Sequence, residues 1–166
     1  MTEIPAPLLD LCNEQIVHEL HASHLYLSMA AYLNERGLYG CAEFMREQSE
    51  EEREHAMKFY DHLVDRDARV DIGALADTPS EWDSVQGVFR EAYQHEQTVT
   101  DQIERIYDQA EEEGDRPLAN MLDWFVDEQV EEERTFRRIL GLFKFIDDDP
   151  AGLLEIDERL AERGEA

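Results

Sequence analysis

Four stretches of this chain place apolar residues at alternating four- and three-residue steps, and every stripe is interrupted near its middle by groups that resist burial. The first reads Cys12, Ile16, Glu19, Ser23, Tyr26, Ala30, Leu33, with Glu19 as the misfit. The second reads Cys41, Met45, Gln48, Glu52, His55, Phe59 and then His62 or Leu63, and its misfits are Gln48, Glu52 and His55. Glu96 alone breaks the third, which runs Val85, Phe89, Ala92, Glu96, Val99, Ile103, Ile106, Ala110. The fourth runs Leu118, Leu122, Phe125, Gln129, Glu132, Phe136, Ile139, Phe143 and is broken by Gln129 and Glu132. A stripe of that period is the seam of a helix packed along its whole length, so four of them require an all-α bundle.

Helix breakers divide the chain into helices over about 7–35, 39–66, 84–113, 117–145 and 150–163, within one domain spanning 1–166. Pro7 suits a first turn, Gly37 and Gly114 stop the first and third helices, Ser84 is an N-cap, and Asp115 with Pro117 opens the fourth. Asp147-Asp148-Asp149-Pro150 closes that helix and starts the fifth. Between Asp67 and Asp83 the period lapses, and the segment contains Gly73 and Pro79. It is too long for a tight turn and reads as a crossover along the bundle, leaving the second and third helices parallel. The short fifth helix has one apolar face, Leu153, Ile156 and Leu160, which is expected to meet another subunit.

The misfits share one height. Glu19 lies 18 residues before Gly37, and Glu52 and His55 lie 15 and 18 after it; Glu96 lies 19 before Asp115, and Gln129 and Glu132 lie 14 and 17 after it. At ~1.5 Å per residue, two antiparallel hairpins bring all six to the middle of the bundle. Any single buried Glu is more often a register-fixing polar residue than a ligand, but four carboxylates without cations cost several kcal/mol each, and the stripes hold no Arg or Lys to pair them. Two divalent cations neutralise Glu19, Glu52, Glu96 and Glu132. Glu52 and His55, three residues apart, form a chelating pair on one helix face. Carboxylates with one imidazole and no thiolate favour iron or manganese over zinc or copper, and they stabilise ferric over ferrous iron.

A net charge of −26, from 41 acidic and 15 basic residues, disfavours nucleic acid and anionic membranes and favours cations. Only Lys58 and Lys144 are lysines, a balance expected of a protein that works in high salt. No apolar run reaches the ~18 residues of a membrane span and the N-terminus lacks a signal pattern, so a cytoplasmic location is expected. Cys12 and Cys41 form no CxxC and read as core residues, ~30 Å apart along the first hairpin and beyond reach of a disulfide.

The chain resembles prokaryotic non-haem ferritins in Asn13-Glu14-Gln15 leading to Glu19-Leu20, in Glu51-Glu52-Arg53-Glu54-His55, in His95-Glu96-Gln97, and in the run Trp124 to Glu133. The ferritin-like four-helix bundle with a long crossover between its second and third helices and a short fifth helix is what that resemblance implies, and di-iron carboxylate bundles are a known form of this architecture. It further implies a first iron held by Glu19, Glu52, His55 and Glu96 with Gln129 close by, Glu52 and Glu96 bridging to a second iron completed by Glu132, and Tyr26 beside the pair as an electron donor. Trp124 matches a family position with less weight. A possible third iron site is implied at Glu51, Glu128, Glu131 and Glu132, although helix periodicity alone puts Glu51, Glu128 and Glu131 on the flanks, where a solvated charge is commoner. The same resemblance implies a ferroxidase that takes Fe(II) and dioxygen or peroxide and stores ferric mineral in a 24-subunit homo-oligomeric shell, the fifth helix lining apolar channels.

Three other readings compete. A di-iron peroxidase would need a reductant-binding domain or rubredoxin cysteines, which the sequence lacks. A bacterioferritin would carry a histidine at Glu132 and a haem-ligating methionine where Arg53 stands, so no haem is expected. A non-catalytic, salt-adapted bundle would leave the carboxylates solvated. His18, His21, His24, His62 and His95 read as surface or packing residues.

Overall fold

The computed structural model describes residues 3–146 and 149–164, and among them are five helices and no strand: α1 Ala6–Glu35, α2 Tyr39–Asp65, α3 Val85–Glu112, α4 Arg116–Phe143 and α5 Pro150–Gly164. Each bound lies within two residues of the sequence expectation. Ser84 caps α3 by accepting the Gly87 N–H at 2.9 Å, and Asp115 caps α4 by accepting the Leu118 N–H at 3.1 Å. Gly37 and Gly114 take φ of +77° and +69°, and the next residues return their N–H groups to Leu33 and Ala110, closing α1 and α3 in a left-handed turn. Asp147 and Asp148, expected in the α4–α5 junction, lie outside the described residues; Asp149 accepts the Gly152 N–H at 3.1 Å and caps α5.

The segment between α2 and α3 runs along α1. Asn13 holds it near the start of α1, donating to the Arg69 carbonyl at 3.1 Å and accepting the Asp71 N–H at 2.8 Å. Ser28 donates to the Pro79 carbonyl, and Tyr32 donates to the Trp82 carbonyl at 2.9 Å near the far end. The chain thus returns to the opposite end of the bundle before α3 begins, and α3 runs parallel to α2.

Burial follows the four stripes, and Leu63 rather than His62 completes the second. The apolar core is divided in two. One cluster, around Met29, Met45, Phe89 and Phe136, fills the α1–α2 turn end; the other, around Ile16, Phe59, Ile103 and Phe125, fills the end with the α3–α4 turn. Between them lies a buried polar waist of Gln15, Glu19, Gln48, Ser49, Glu52, His55, Glu96, Gln129 and Glu132.

The fifth helix departs from expectation. Ile156 and Leu160 are buried in the same chain, in the cluster containing Leu38, Cys41 and Phe44, and Leu153 packs partly against it. The sides of a four-helix bundle are full, but its end is open, and α5 lies across that end. Gly40 makes the close approach possible: a Cβ there would sit 2.1 Å from the Asp157 carbonyl oxygen. Asp157 also accepts the Cys41 N–H at 2.7 Å. The face left exposed on α5 carries Leu154, Glu155, Glu158 and Arg159, so the three apolar residues are not a channel lining. Cys12 and Cys41 are free, buried, and in opposite clusters.

Candidate metal centre

The waist assembles because each helix contributes its misfit at the same height. Three groups of ligand atoms lie within 4.8 Å of one another: Glu19, Glu52 and His55; Glu52, Glu96 and Glu132; and His55, Glu128 and Glu132. The first two share Glu52, and the last two share Glu132. His55 Nδ1 stands 3.6 Å from Glu52 Oε2, and its Nε2 stands 3.9 Å from Glu128 Oε1, so one imidazole looks both ways.

Hydrogen bonds hold the carboxylates from behind and leave their inner faces bare. Gln15 donates to Glu19 Oε1 at 3.1 Å and Tyr26 donates to Glu96 Oε1. Gln129 Nε2 donates to both the main-chain oxygen and Oε2 of Glu96 at 3.1 Å. Among the six candidate ligand residues, what remains without a hydrogen-bond partner within the described residues is Glu19 Oε2, both oxygens of Glu52, His55 Nδ1, Gln129 Oε1 and Glu132 Oε2; Gln48 Oε1, in the same waist, is also unpartnered. Six buried electron-pair donors facing one another without a hydrogen-bond partner depart from the rule that buried polar atoms are satisfied. Cations in their midst restore it, and the donor set, oxygen with one imidazole, suits iron.

The electrostatics agree. Burial raises Glu52 well above the carboxylate range, reinforced by Glu96 and Glu19. Burial and then Glu96, Glu51 and Glu128 push Glu132 up to about 10. Glu96 rises to about 7 through burial, against the hydrogen bonds from Tyr26 and Gln129 that favour its charged form. Burial lowers His55, keeping its ring in the neutral, ligating form despite Glu19 and Glu128 nearby. Tyr26 is held well above its ordinary value by burial and by Glu96, so the phenol keeps its proton. Without cations the waist must carry protons; cations displace them.

The structure therefore brings Glu19, Glu52, His55, Glu96, Gln129 and Glu132 together, with Tyr26 in contact. Glu128 joins through His55, and Glu51 is half-buried, its carboxyl raised by burial and hydrogen-bonded to Glu132. Glu131 does not join: its side chain is 63% exposed and faces Arg134 at 3.5 Å, because it lies with Val130 on the solvent side of α4, between the buried Gln129 and Glu132. Trp124 stacks edge-on to His55 at 5.3 Å with Lys58 over its other side at 4.1 Å. Gln15 escaped the sequence reading, since it lies off the α1 stripe, four residues before Glu19; an amide one turn from a buried carboxylate was the available signal. His21 and His95 are also neighbours, their rings 6.2 Å apart, a juxtaposition of two helices that neither helix reveals alone.

Residues 9–146 match the Ferritin-like domain family. A bacterial non-heme ferritin of Staphylococcus saprophyticus is 36% identical over 156 residues, covering 94% of this chain and 93% of that protein, and one of Staphylococcus aureus is 33% identical over the same length, covering 94% of each. Among solved structures, an open pore ferritin from the hyperthermophilic archaeon Archaeoglobus fulgidus superposes with a TM-score of 0.94 at 39% identity, covering 96% of this chain and 98% of that one. A humanized archaeal ferritin gives 0.93 at 36% identity, covering 96% of each.

Proposed function

The chain belongs to the Ferritin-like domain family as a prokaryotic non-haem ferritin, and from that premise we propose that it oxidises Fe(II) at the waist and stores the ferric product. Iron is the substrate here. Glu19, Glu52, His55 and Glu96 hold one Fe(II), and Glu52, Glu96 and Glu132 hold a second, with Gln129 alongside. Two Fe(II) give two electrons to dioxygen, which takes two protons and leaves as hydrogen peroxide, or to hydrogen peroxide, which takes two protons and leaves as two waters. The carboxylates favour the ferric product by charge. The protons they release on binding Fe(II) are available to the reduced oxygen.

The observation that carries this reading is the set of six partnerless donor atoms that the candidate ligands of four helices bring to one height in the buried waist. Glu51 and Glu128, with His55 and Glu132, offer a third position on the way out of the pair. Glu131 is too exposed to belong to it. The shell is a 24-subunit homo-oligomer of one-domain subunits, cytoplasmic and without haem, into which ferric ions pass as mineral. The net charge of −26 supports a protein that works in concentrated salt, holds no nucleic acid, and nucleates mineral on acidic surface. Sizing the assembly in high and low salt tests both shell and salt dependence.

Stopped-flow oxidation tests the chemistry. Glu52→Ala removes the carboxylate shared by both iron positions, and rapid Fe(II) oxidation should vanish while the assembly persists. An unchanged rate sinks the assignment.

A further inference from the structure

We propose a second cation site, built from imidazoles, on the flank where α1 meets α3: His21 and His95 hold a borderline divalent ion, Fe(II) or Zn(II), with His18 as third ligand. The two rings come from different helices, and their centroids stand 6.2 Å apart with the planes inclined at 57°. Each ring leaves one buried nitrogen with no hydrogen-bond partner, Nδ1 of His21 and Nε2 of His95. Both rings are only partly exposed, so neither nitrogen is simply hydrated. An imidazole nitrogen holds such an ion at about 2.0–2.1 Å, so two rings sharing one ion stand roughly 5.2 Å apart between centroids at a tetrahedral angle and roughly 6.4 Å apart at a straight one. The observed 6.2 Å lies between these limits, so the rings close by about 1 Å on a tetrahedral ion. His18 lies one helical turn before His21 on α1 and is exposed; the three rings do not yet bring their ligand atoms within 4.8 Å of one another, so His18 turns inward on binding and solvent completes the coordination.

The site is chemically unlike the waist. It offers nitrogen where the waist offers carboxylate oxygen, so it binds without the same proton release and without preference for the ferric state. Tyr26 separates the two: the His95 ring meets the Tyr26 ring edge-on at 5.9 Å, and the Tyr26 hydroxyl donates to Glu96. An Fe(II) held by the imidazoles thus waits one aromatic ring from the oxidising pair. Binding itself does not rest on the oxidation reading and stands or falls separately.

Co(II) serves as the probe, on the assembled full-length protein in concentrated salt, which screens adventitious binding to surface acids. Glu52→Ala supplies the background, because it disables the waist. On that background equilibrium dialysis should still find tightly held Co(II), and X-ray absorption at the cobalt edge should show imidazole scattering. Adding His18→Ala and His21→Ala should weaken it at least about tenfold, since losing a direct ligand costs no less than losing a group that supports one. Unaltered affinity, or a cobalt spectrum of oxygen ligands alone, overturns the proposal. Should the double variant fail to assemble, His18→Gln alone, at an exposed position, must still lower the affinity, and no change there refutes the site.

Discussion

Replacing Glu132 with Gln should make the cation-free protein more stable at neutral pH and leave it no more stable in acid. Glu132 is pushed up to about 10 by burial and by Glu96, Glu51 and Glu128, against an ordinary value of 4.5. Between those two values the folded chain holds a proton that the unfolded chain has released. Stability is therefore highest below 4.5, where both forms are protonated, and falls as pH rises toward 10. Keeping the carboxyl protonated at pH 7 costs about 1.36 kcal/mol per pH unit of the gap from 4.5, roughly 3 kcal/mol. The Gln amide carries no such penalty and can still donate toward Glu51 and Glu128. For a chain of this size each kcal/mol moves Tm by roughly 2–4 °C, so the variant should melt roughly 6–12 °C higher at pH 7 and at the wild-type temperature near pH 4. Thermal scans of cation-free protein at matched subunit concentration read this directly. With Zn(II) present the order should reverse, because the wild type gains a ligand-bound cation that the variant binds poorly. Parallel pH profiles for the two proteins without cations would refute the reasoning.

Other elements carry their own tests. Arg66 is buried at the end of the bundle and bonds both oxygens of Asp115 at 2.7 and 2.9 Å; Arg66→Ala should cost about 3–5 kcal/mol in denaturant unfolding, since the Asp115 charge then stays buried without it. Gly40→Ala should drive α5 off the bundle end, seen as faster hydrogen exchange in Ile156 and Leu160 with the four long helices still protected. Cys12 and Cys41 should both resist thiol reagents until the protein unfolds, Cys12 because burial and Asp115 push its thiol up to about 12, Cys41 because burial and Asp157 raise it further.

Much of this was legible in the residues, for a physical reason. A long bundle helix repeats its core contact every seven residues, so a buried Glu shows itself by occupying a seam position, as Glu19, Glu52, Glu96 and Glu132 do. Counting from Gly37 and Asp115 then placed them at one height, because the rise of a helix is constant. Groups off the seam were harder. Glu128 reaches the cluster only through the length of its side chain, and Glu131, which shares the family run, faces solvent. His21 and His95 lie on different helices and meet by lateral packing, which periodicity does not encode. The docking of α5 depended on the shape of the bundle end and on the space Gly40 leaves, and an apolar stripe says only that a helix will be covered.

The position of iron within the subunit is the most direct test of the ligand assignment. Anomalous diffraction at the iron edge, from crystals soaked anaerobically in Fe(II), should show two peaks within each subunit's waist. One should lie among Glu19, Glu52, His55 and Glu96, and the other among Glu52, Glu96 and Glu132. A waist without iron, with peaks only on surface acids, would contradict it.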